Sequence, residues 1–134
     1  MNQLITIKTS KFDVSKEGEN PNNQIYGQSL LVWLSQSLKE KFEFSEVDSE
    51  DWGWYCFVSF SGRKYMLGAT AFFEDGEDPK QDIEWAFQVE KERTWKEILL
   101  LQEKMTASDQ CFQFFKEFFE GQHEIQVLST GENA

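Results

Sequence analysis

The spacing of the apolar residues changes twice along this chain, and this change limits the folds that it can adopt. In the first part, apolar residues recur at every third or fourth position: Tyr26, Leu30, Trp33, Leu34 and Leu38. In the middle they recur at every second position, at 52–60 and again at 83–89. A helical spacing returns at 111–119, where five Phe side chains and one Cys share a face. Spacings of three to four are typical of helices and spacings of two of strands, so the pattern predicts an α+β fold.

The middle of the chain is predicted to form an antiparallel meander over about 52–90. Strands at 52–60, 65–73 and 83–89 are separated by short connections that contain Gly, Asp and Pro, and such connections join antiparallel neighbours. The alternation predicts that Trp52 and Trp54 both lie in the core. The intervening positions are also partly apolar, so we expect both faces of this sheet to be covered.

The N-terminal part is predicted to supply one strand and one helix. Alternation at 3–8 indicates the strand, and the helix is expected over about 24–41. Asn20-Pro21 marks the approach to the helix, because proline is favoured at helix starts. Gly27 near the start of the helix permits a close contact. Phe44 and Val47 indicate a further short strand before the meander.

The C-terminal part is predicted to be helical and then extended. The segment 94–105 is expected to form a helix buried on two sides or, as the alternative, a strand, because Leu100 and Leu101 do not share the face of the other apolar residues. Ser108 is the expected N-cap of the phenylalanine-rich helix, and Gly121 its end. A closing strand is expected at 124–129, followed by a frayed tail at 131–134. The predicted fold is a single α+β domain, a mainly antiparallel sheet with an N-terminal helix and C-terminal helices packed on it.

Composition and charge exclude several classes of function. The 134 residues suit one domain. The net charge of -11 argues against binding nucleic acid through a basic face. No window approaches the roughly 18 apolar residues that a membrane span requires. The chain begins without a charged leader followed by an apolar stretch, and Cys56 and Cys111 lie in separate apolar runs. We therefore expect a cytoplasmic protein with two buried free thiols rather than a disulfide.

No catalytic or cofactor site is expected from the sequence. His123 is the single histidine and lies next to a predicted turn, so it is interpreted as a solvated residue. One histidine and two distant cysteines do not form a local zinc site. There is no glycine-rich phosphate loop, and the acidic segment 74–78 lacks the ligand pattern of a calcium loop. We predict no cofactor and no metal, and we favour a binding protein over an enzyme.

The acidic residues are concentrated in one part of the chain. Residues 43–90 hold twelve acids against three bases, whereas residues 1–42 are almost neutral. These acids cluster before the meander and in its second turn, and a surface of one sign attracts a partner of the other sign. Ordinary solubilising charge is the alternative interpretation. The predicted partner-binding residues are Glu46, Asp48, Glu50, Asp51, Glu74, Asp75, Glu77, Asp78 and Asp82.

One short motif resembles a known group of proteins. Glu50-Asp51-Trp52-Gly53-Trp54 is similar to the start of a strand in small bacterial α+β proteins of uncharacterised or toxin-immunity type. The similarity covers roughly residues 5–90 and includes Asn20-Pro21 and the Gly that follows Tyr65-Met66-Leu67. It implies a cytoplasmic protein that binds and blocks a secreted toxin, often a basic nuclease. It implies no catalytic residues, because immunity proteins inhibit and do not catalyse. A structural alternative is that Gly53 admits a neighbouring chain while both tryptophans fill the core.

Three functional hypotheses follow from these observations. The first is a cytoplasmic protein that binds a basic protein partner through the acidic segment, with toxin immunity as its specific form. The second is a structural or regulatory domain whose acidity serves solubility and which self-associates through apolar contacts. The third is an enzyme that uses carboxylate chemistry.

Overall fold

The backbone forms one six-stranded sheet in which all neighbouring strands are antiparallel. The computed structural model describes residues 3–132. Its strands are β1 Gln3–Thr9, β2 Asp48–Glu50, β3 Gly53–Phe60, β4 Arg63–Ala71, β5 Ile83–Lys91 and β6 Gln126–Glu132, in the spatial order β2-β3-β4-β5-β1-β6. Its helices are α1 Gln28–Leu38, α2 Trp95–Leu99 and α3 Gln110–Glu120, with a 3-10 turn at Val14–Lys16. The predicted α+β class, with its central meander, is confirmed.

The two longer helices pack side by side on one face of the sheet. The ring of Phe87 on β5 lies 5.5 Å from that of Phe115 and 5.1 Å from that of Phe119, both on α3. Trp33 on α1 contacts Phe118 of α3 at 5.5 Å between ring centroids. Burying an aromatic side chain of this size contributes about 2–3 kcal/mol. The phenylalanine face predicted from the sequence is therefore the surface that holds α3 on the sheet.

The second face of the sheet is open, so the prediction that both faces are covered is wrong. Side chains such as Leu4, Met66 and Ala86 point away from the helices and are only half-buried. Both longer helices lie on the opposite face, and no other element within residues 3–132 crosses this one. The apolar character of the alternate positions therefore marks an exposed surface and not a second core.

A glycine changes the direction of the tryptophans at the start of β3. Gly53 has a φ of +150°, a backbone conformation that residues other than glycine rarely adopt. As a result Trp54 points into the core, whereas Trp52 lies over Gly68 on the open face. A Cβ on Gly53 would stand 2.4 Å from the carbonyl oxygen of Ala69, which confirms the close approach of a neighbouring chain. The expectation that both tryptophans fill the core is wrong for Trp52.

Helix α1 begins later than expected because a distant carboxylate caps it. The helix begins at Gln28, and Pro21 lies in the preceding loop rather than at the helix start. The carboxylate of Glu17 accepts hydrogen bonds from the N–H groups of Gly27, Gln28 and Ser29. A negative charge at this position also interacts favourably with the helix dipole. A loop side chain ten residues away thus sets the start of the helix, which no local pattern indicates.

The C-terminal third differs from the prediction in three places. The segment 94–105 is neither a long buried helix nor a strand; it forms the five-residue α2, none of whose residues is buried. The N-cap of α3 is Asp109 and not Ser108, while the end of the helix at Gly121 is confirmed. Strand β6 extends to Glu132, so the first part of the expected tail is paired with β1. Residues 133–134 lie outside the described residues.

The two cysteines are buried free thiols, as predicted. Burial raises the pKa of Cys56 to about 12 and raises that of Cys111 still further. Both thiols are therefore protonated and unreactive at neutral pH. Within residues 3–132, every helix is too short or too polar to span a membrane.

Candidate functional site

Two acidic connections lie at the same end of the sheet. The β2–β3 turn joins Glu50 to Gly53, and the β4–β5 connection covers 72–82. Because the strands are antiparallel neighbours, β2 and β4 end where β3 and β5 begin. The two connections carry seven carboxylates and the single base Lys80. We call this surface the acidic end, and its carboxylates are Glu50, Asp51, Glu74, Asp75, Glu77, Asp78 and Asp82.

The other two predicted site residues lie elsewhere. Asp48 is paired with Tyr55 on the edge strand β2, and Glu46 borders a shallow hollow of about 850 Å³ between α1 and β3. The hollow also contains Lys39 and Lys64, so its charge is mixed. Strand β2 leads from this hollow to the β2–β3 turn, so residues that precede β2 lie away from the acidic end. The sequence does not indicate this separation, because Glu46 and Asp48 are only a few positions from Glu50.

The β4–β5 connection is held in shape by its own carboxylates. The N–H of Glu74 donates to Glu77 at 2.8 Å, and the N–H of Lys80 donates to Asp78 at 2.9 Å. The hydroxyl of Tyr26 donates to Asp75 at 2.8 Å, and this hydrogen bond raises the pKa of Tyr26. The carboxylates of Asp75, Glu77 and Asp78 are therefore held in place before any partner arrives, which lowers the entropy cost of binding.

The β2–β3 turn is held by Asn20, which the sequence indicated only as part of the approach to α1. The amide of the buried Asn20 donates to the carbonyl oxygens of Glu50 at 3.0 Å and Gly53 at 3.1 Å. Its oxygen accepts from the N–H groups of Asn22 and Asn23. Both N–H groups and the oxygen of this buried amide therefore have hydrogen-bond partners within the fold. Asparagine in a loop usually indicates a turn, so its contact with a strand thirty residues away could not be predicted.

An apolar groove on the open face reaches the acidic end. It has a volume of about 540 Å³, and its apolar lining includes Leu4, Trp52, Met66 and Phe72. Trp52 precedes β3 and Phe72 follows β4, so both aromatic rings flank the acidic connections. Phe72 is 57 % exposed. Aromatic side chains beside charged groups are typical of protein-binding surfaces. This groove was missed because the alternation suggested that Trp52 is in the core.

A second exposed feature, α2, lies at the opposite end of the sheet and is firmly anchored. Thr94 and Glu97 form a capping box, in which each side chain accepts from the backbone N–H of the other. Arg63 donates to both carboxylate oxygens of Glu97, at 3.1 Å from Nη1 and 2.7 Å from Nη2. The hydrogen bonds from Arg63, and then the one from the Thr94 N–H, lower the pKa of Glu97 to about 2. The Glu97 carboxylate thus ties α2 to Arg63, which follows the β3–β4 turn.

We expect the anchoring of α2 to weaken only in strong acid. A pKa of about 2 in the folded protein lies below the ordinary value of 4.5. The ionised Glu97 therefore holds α2 fully above about pH 4.5, and this stabilisation of α2 is lost as the pH falls toward 2. NMR signals of the Leu99 methyl groups, followed from pH 6 to about pH 2, should report the release of α2.

The matched control is Glu97→Gln, which retains the capping box but has no titratable group. Its Leu99 signals should lack the acid-dependent step that they show in the parent protein. A step of equal size in both proteins would mean that other carboxylates control the position of α2.

The remaining candidates for chemistry are separated from one another. His123 is exposed in the turn between α3 and β6, as expected. Among residues 3–132, no three His, Cys, Asp or Glu side chains form a group that could hold a metal ion.

Comparisons of the chain with protein-family models, with curated proteins and with solved structures gave no significant match. The resemblance carried by 50–54 therefore remains a prediction. What the described residues define is a helix-backed antiparallel sheet with an acidic end, an open aromatic groove and an apolar helix at the other end.

Proposed function

We propose that this protein binds a basic protein partner with its acidic end and the adjoining groove, and that it acts by binding rather than by catalysis. Toxin immunity is the specific form that we propose, with the partner a basic toxin domain that the protein blocks. The observation that carries the proposal is the joint presence of seven carboxylates and two flanking aromatic side chains, Trp52 and Phe72, at one end of the sheet.

The two parts of this surface support different steps of binding. The seven carboxylates of the acidic end attract a basic partner over a distance and raise the association rate. An apolar groove between Trp52 and Phe72 gives one side chain of the partner a place to be buried, and buried anchors of this kind slow dissociation. The acidic end thus raises the association rate and orients the partner, and the groove lengthens the lifetime of the complex.

Reversing three exposed carboxylates should test the electrostatic part. The side chains of Asp51, Glu74 and Asp82 are exposed and form no hydrogen bond or ion pair with the described residues, so replacing all three by Lys should leave the fold intact. We expect the association rate with a basic partner to fall about tenfold or more at low salt. The rate should also lose most of its dependence on ionic strength. The partner to be used is the C-terminal domain of a toxin encoded beside the gene for this chain, and association is measured by stopped-flow fluorescence.

The matched control reverses three carboxylates outside the acidic end. Glu40, Glu43 and Glu117 are exposed, and their replacement by Lys changes the net charge by the same amount. Association should remain close to that of the parent protein. Equal losses in the two triple variants would attribute the effect to net charge alone and contradict a role for the acidic end.

The immunity form makes a separate prediction in cells. Expression of the neighbouring toxin domain should stop growth of the host, and co-expression of this chain should restore it. The variant Phe72→Glu, which places a charge in the groove, should protect poorly because it shortens the lifetime of the complex. Failure of the parent chain to restore growth, or the lack of any toxin gene beside it, would contradict the immunity form.

A further inference from the structure

The helix α2 carries the most exposed apolar surface among the described residues. Trp95 is 80 % exposed and Leu99 75 % exposed, and with Ile98 they form one face, since residues three and four apart are neighbours on a helix. Leu100 and Leu101, which follow the helix, are also more than half exposed. We call these five residues the α2 patch. Large apolar side chains held in water are costly, so a patch of this kind marks an interaction surface.

The α2 patch belongs to an ordered segment. Besides the Arg63–Glu97 pair, Arg93 donates to the carbonyl oxygen of Gln102 at 3.1 Å. The N–H of Gln102 donates to the carbonyl oxygen of Glu97 at 2.7 Å. Leu101 and Glu103 have φ values of +56° and +54°. Residues other than glycine adopt this conformation only where the surroundings impose it, often at functional sites. The segment is therefore fixed in a shape that keeps its apolar side chains outward.

The size of the α2 patch matches a protein interface. Its residues are exposed by 40–80 %, so they present on the order of 600 Å², the upper end for the largest apolar patch of a monomeric protein. With a surrounding polar rim it reaches the roughly 800 Å² that each partner of a standard interface buries. A small ligand would need a concave pocket, whereas this patch projects from the surface.

The charges around the α2 patch indicate which kind of partner can bind to it. Residues 91–104 hold four bases and three acids, and the two bases Arg63 and Lys64 at the same end of the sheet are offset by three acids, Glu90, Asp109 and Glu132. The end that carries α2 is therefore close to neutral, in a chain whose net charge is -11. A strongly basic partner has no reason to prefer it over the acidic end. Two copies of this chain, in contrast, can meet here without the repulsion that their acidic ends would cause.

We propose that this protein forms a symmetric dimer in which the α2 patch of one copy packs against the α2 patch of a second copy. A two-fold arrangement makes the surface self-complementary, as in most homodimers. Charges of both signs flank the patch, among them Glu92 and Lys96, so opposite charges can be paired across the axis. The two acidic ends then lie on opposite outer sides of the dimer. This proposal does not depend on the proposed function, because it uses the other end of the sheet.

Sedimentation analysis of the full chain tests the dimer. From about 1 to 500 µM the parent protein should change from monomer to dimer. Leu99→Glu places a charge at the centre of the patch and should weaken association about 30-fold or more, as substitutions of central interface residues do. Leu128→Glu is the matched control, because Leu128 is a 40 % exposed leucine on β6, outside the patch. It should associate like the parent protein.

Each other outcome would overturn the proposal. A parent protein that stays monomeric throughout this range would show that the patch serves a different partner. A dimer that Leu99→Glu does not weaken would place the contact elsewhere, and a series of larger species would indicate a head-to-tail contact. Circular dichroism of both variants shows that they are folded, as expected for substitutions of exposed residues. Toxin-domain binding by Leu99→Glu, measured separately, keeps this test distinct from that of the acidic end.

Discussion

Replacing Asp109 by alanine should lower the free energy of unfolding by about 3–5 kcal/mol, the cost of leaving a buried charge without its partner. Asp109 lies almost entirely inside the protein, where its Oδ2 atom is 3.0 Å from the Nζ atom of Lys91. The same oxygen accepts from the hydroxyl of Tyr65 at 2.9 Å, and Oδ1 accepts from the N–H groups of Cys111 and Phe112. One carboxylate therefore caps α3 and links it to β4 and β5.

The tyrosine remains a donor in this cluster at all moderate pH values. Burial, and then the hydrogen bond to Asp109, raise the pKa of Tyr65 well above its ordinary value of 10.0. The hydroxyl can therefore satisfy the carboxylate without becoming an anion beside it. When Asp109 is removed, Tyr65 and Lys91 both lose a partner inside the protein, although Lys91 retains its contact with Glu103 at 3.4 Å.

Urea denaturation measures this effect, and two further variants separate its causes. Asp109→Asn keeps a good N-cap, so it should be more stable than Asp109→Ala by about 1 kcal/mol. Adding Lys91→Met to Asp109→Asn removes the stranded charge and should recover part of the lost stability. A loss below about 1 kcal/mol for Asp109→Ala would mean that the cluster contributes no more than the cap alone.

Replacing Gly27 by alanine should lower the free energy of unfolding by about 3 kcal/mol, at the upper end of the cost of overpacking. A Cβ at this position would stand 2.2 Å from the carbonyl oxygen of Ala69, in the interior strand β4. The neighbouring groups are tied in place, because the N–H of Ala71 donates to Tyr26 and the N–H of Gly27 donates to Glu17. Helix α1 and strand β4 therefore cannot move apart without breaking these hydrogen bonds.

Gly131→Ala is the matched control for this substitution. It adds the same methyl group, but no atom lies within 4 Å of the position that its Cβ would take. Its urea midpoint should equal or slightly exceed that of the parent protein, since alanine restricts the unfolded chain more than glycine does. Equal losses in the two variants would mean that the contact with Ala69 is not the cause.

The two ends of the sheet suit different kinds of contact. The acidic end carries seven carboxylates next to an aromatic groove, whereas the other end carries an apolar helix in nearly neutral surroundings. In the arrangement that we propose, a copy bound through α2 leaves both acidic ends accessible. Binding of a basic partner and self-association can then occur in the same molecule.

The candidate site could be predicted only in part from the sequence. The clustering of acids around 46–51 and 74–82 was visible, and antiparallel pairing brings most of them to one end. The groove and the α2 patch were not predicted, because the type of an apolar residue does not show whether it lies in the core or on the surface. Trp52 and Leu99 are the clearest cases: the spacing predicts that both are buried, and both contribute to exposed surfaces.

The sequence by itself determined the local elements. The spacing of apolar residues indicates strands and helices because it reflects the geometry of each element, and this held for 3–9, for the meander and for α3. Only the tertiary structure decided which face of the sheet α1 and α3 cover, and with it which apolar residues stay exposed. The contacts that fix these choices, such as Glu17 on α1, Asn20 on the β2–β3 turn and Arg63 on Glu97, join residues ten or more positions apart. Such pairings depend on how the elements pack, and no local pattern contains that information.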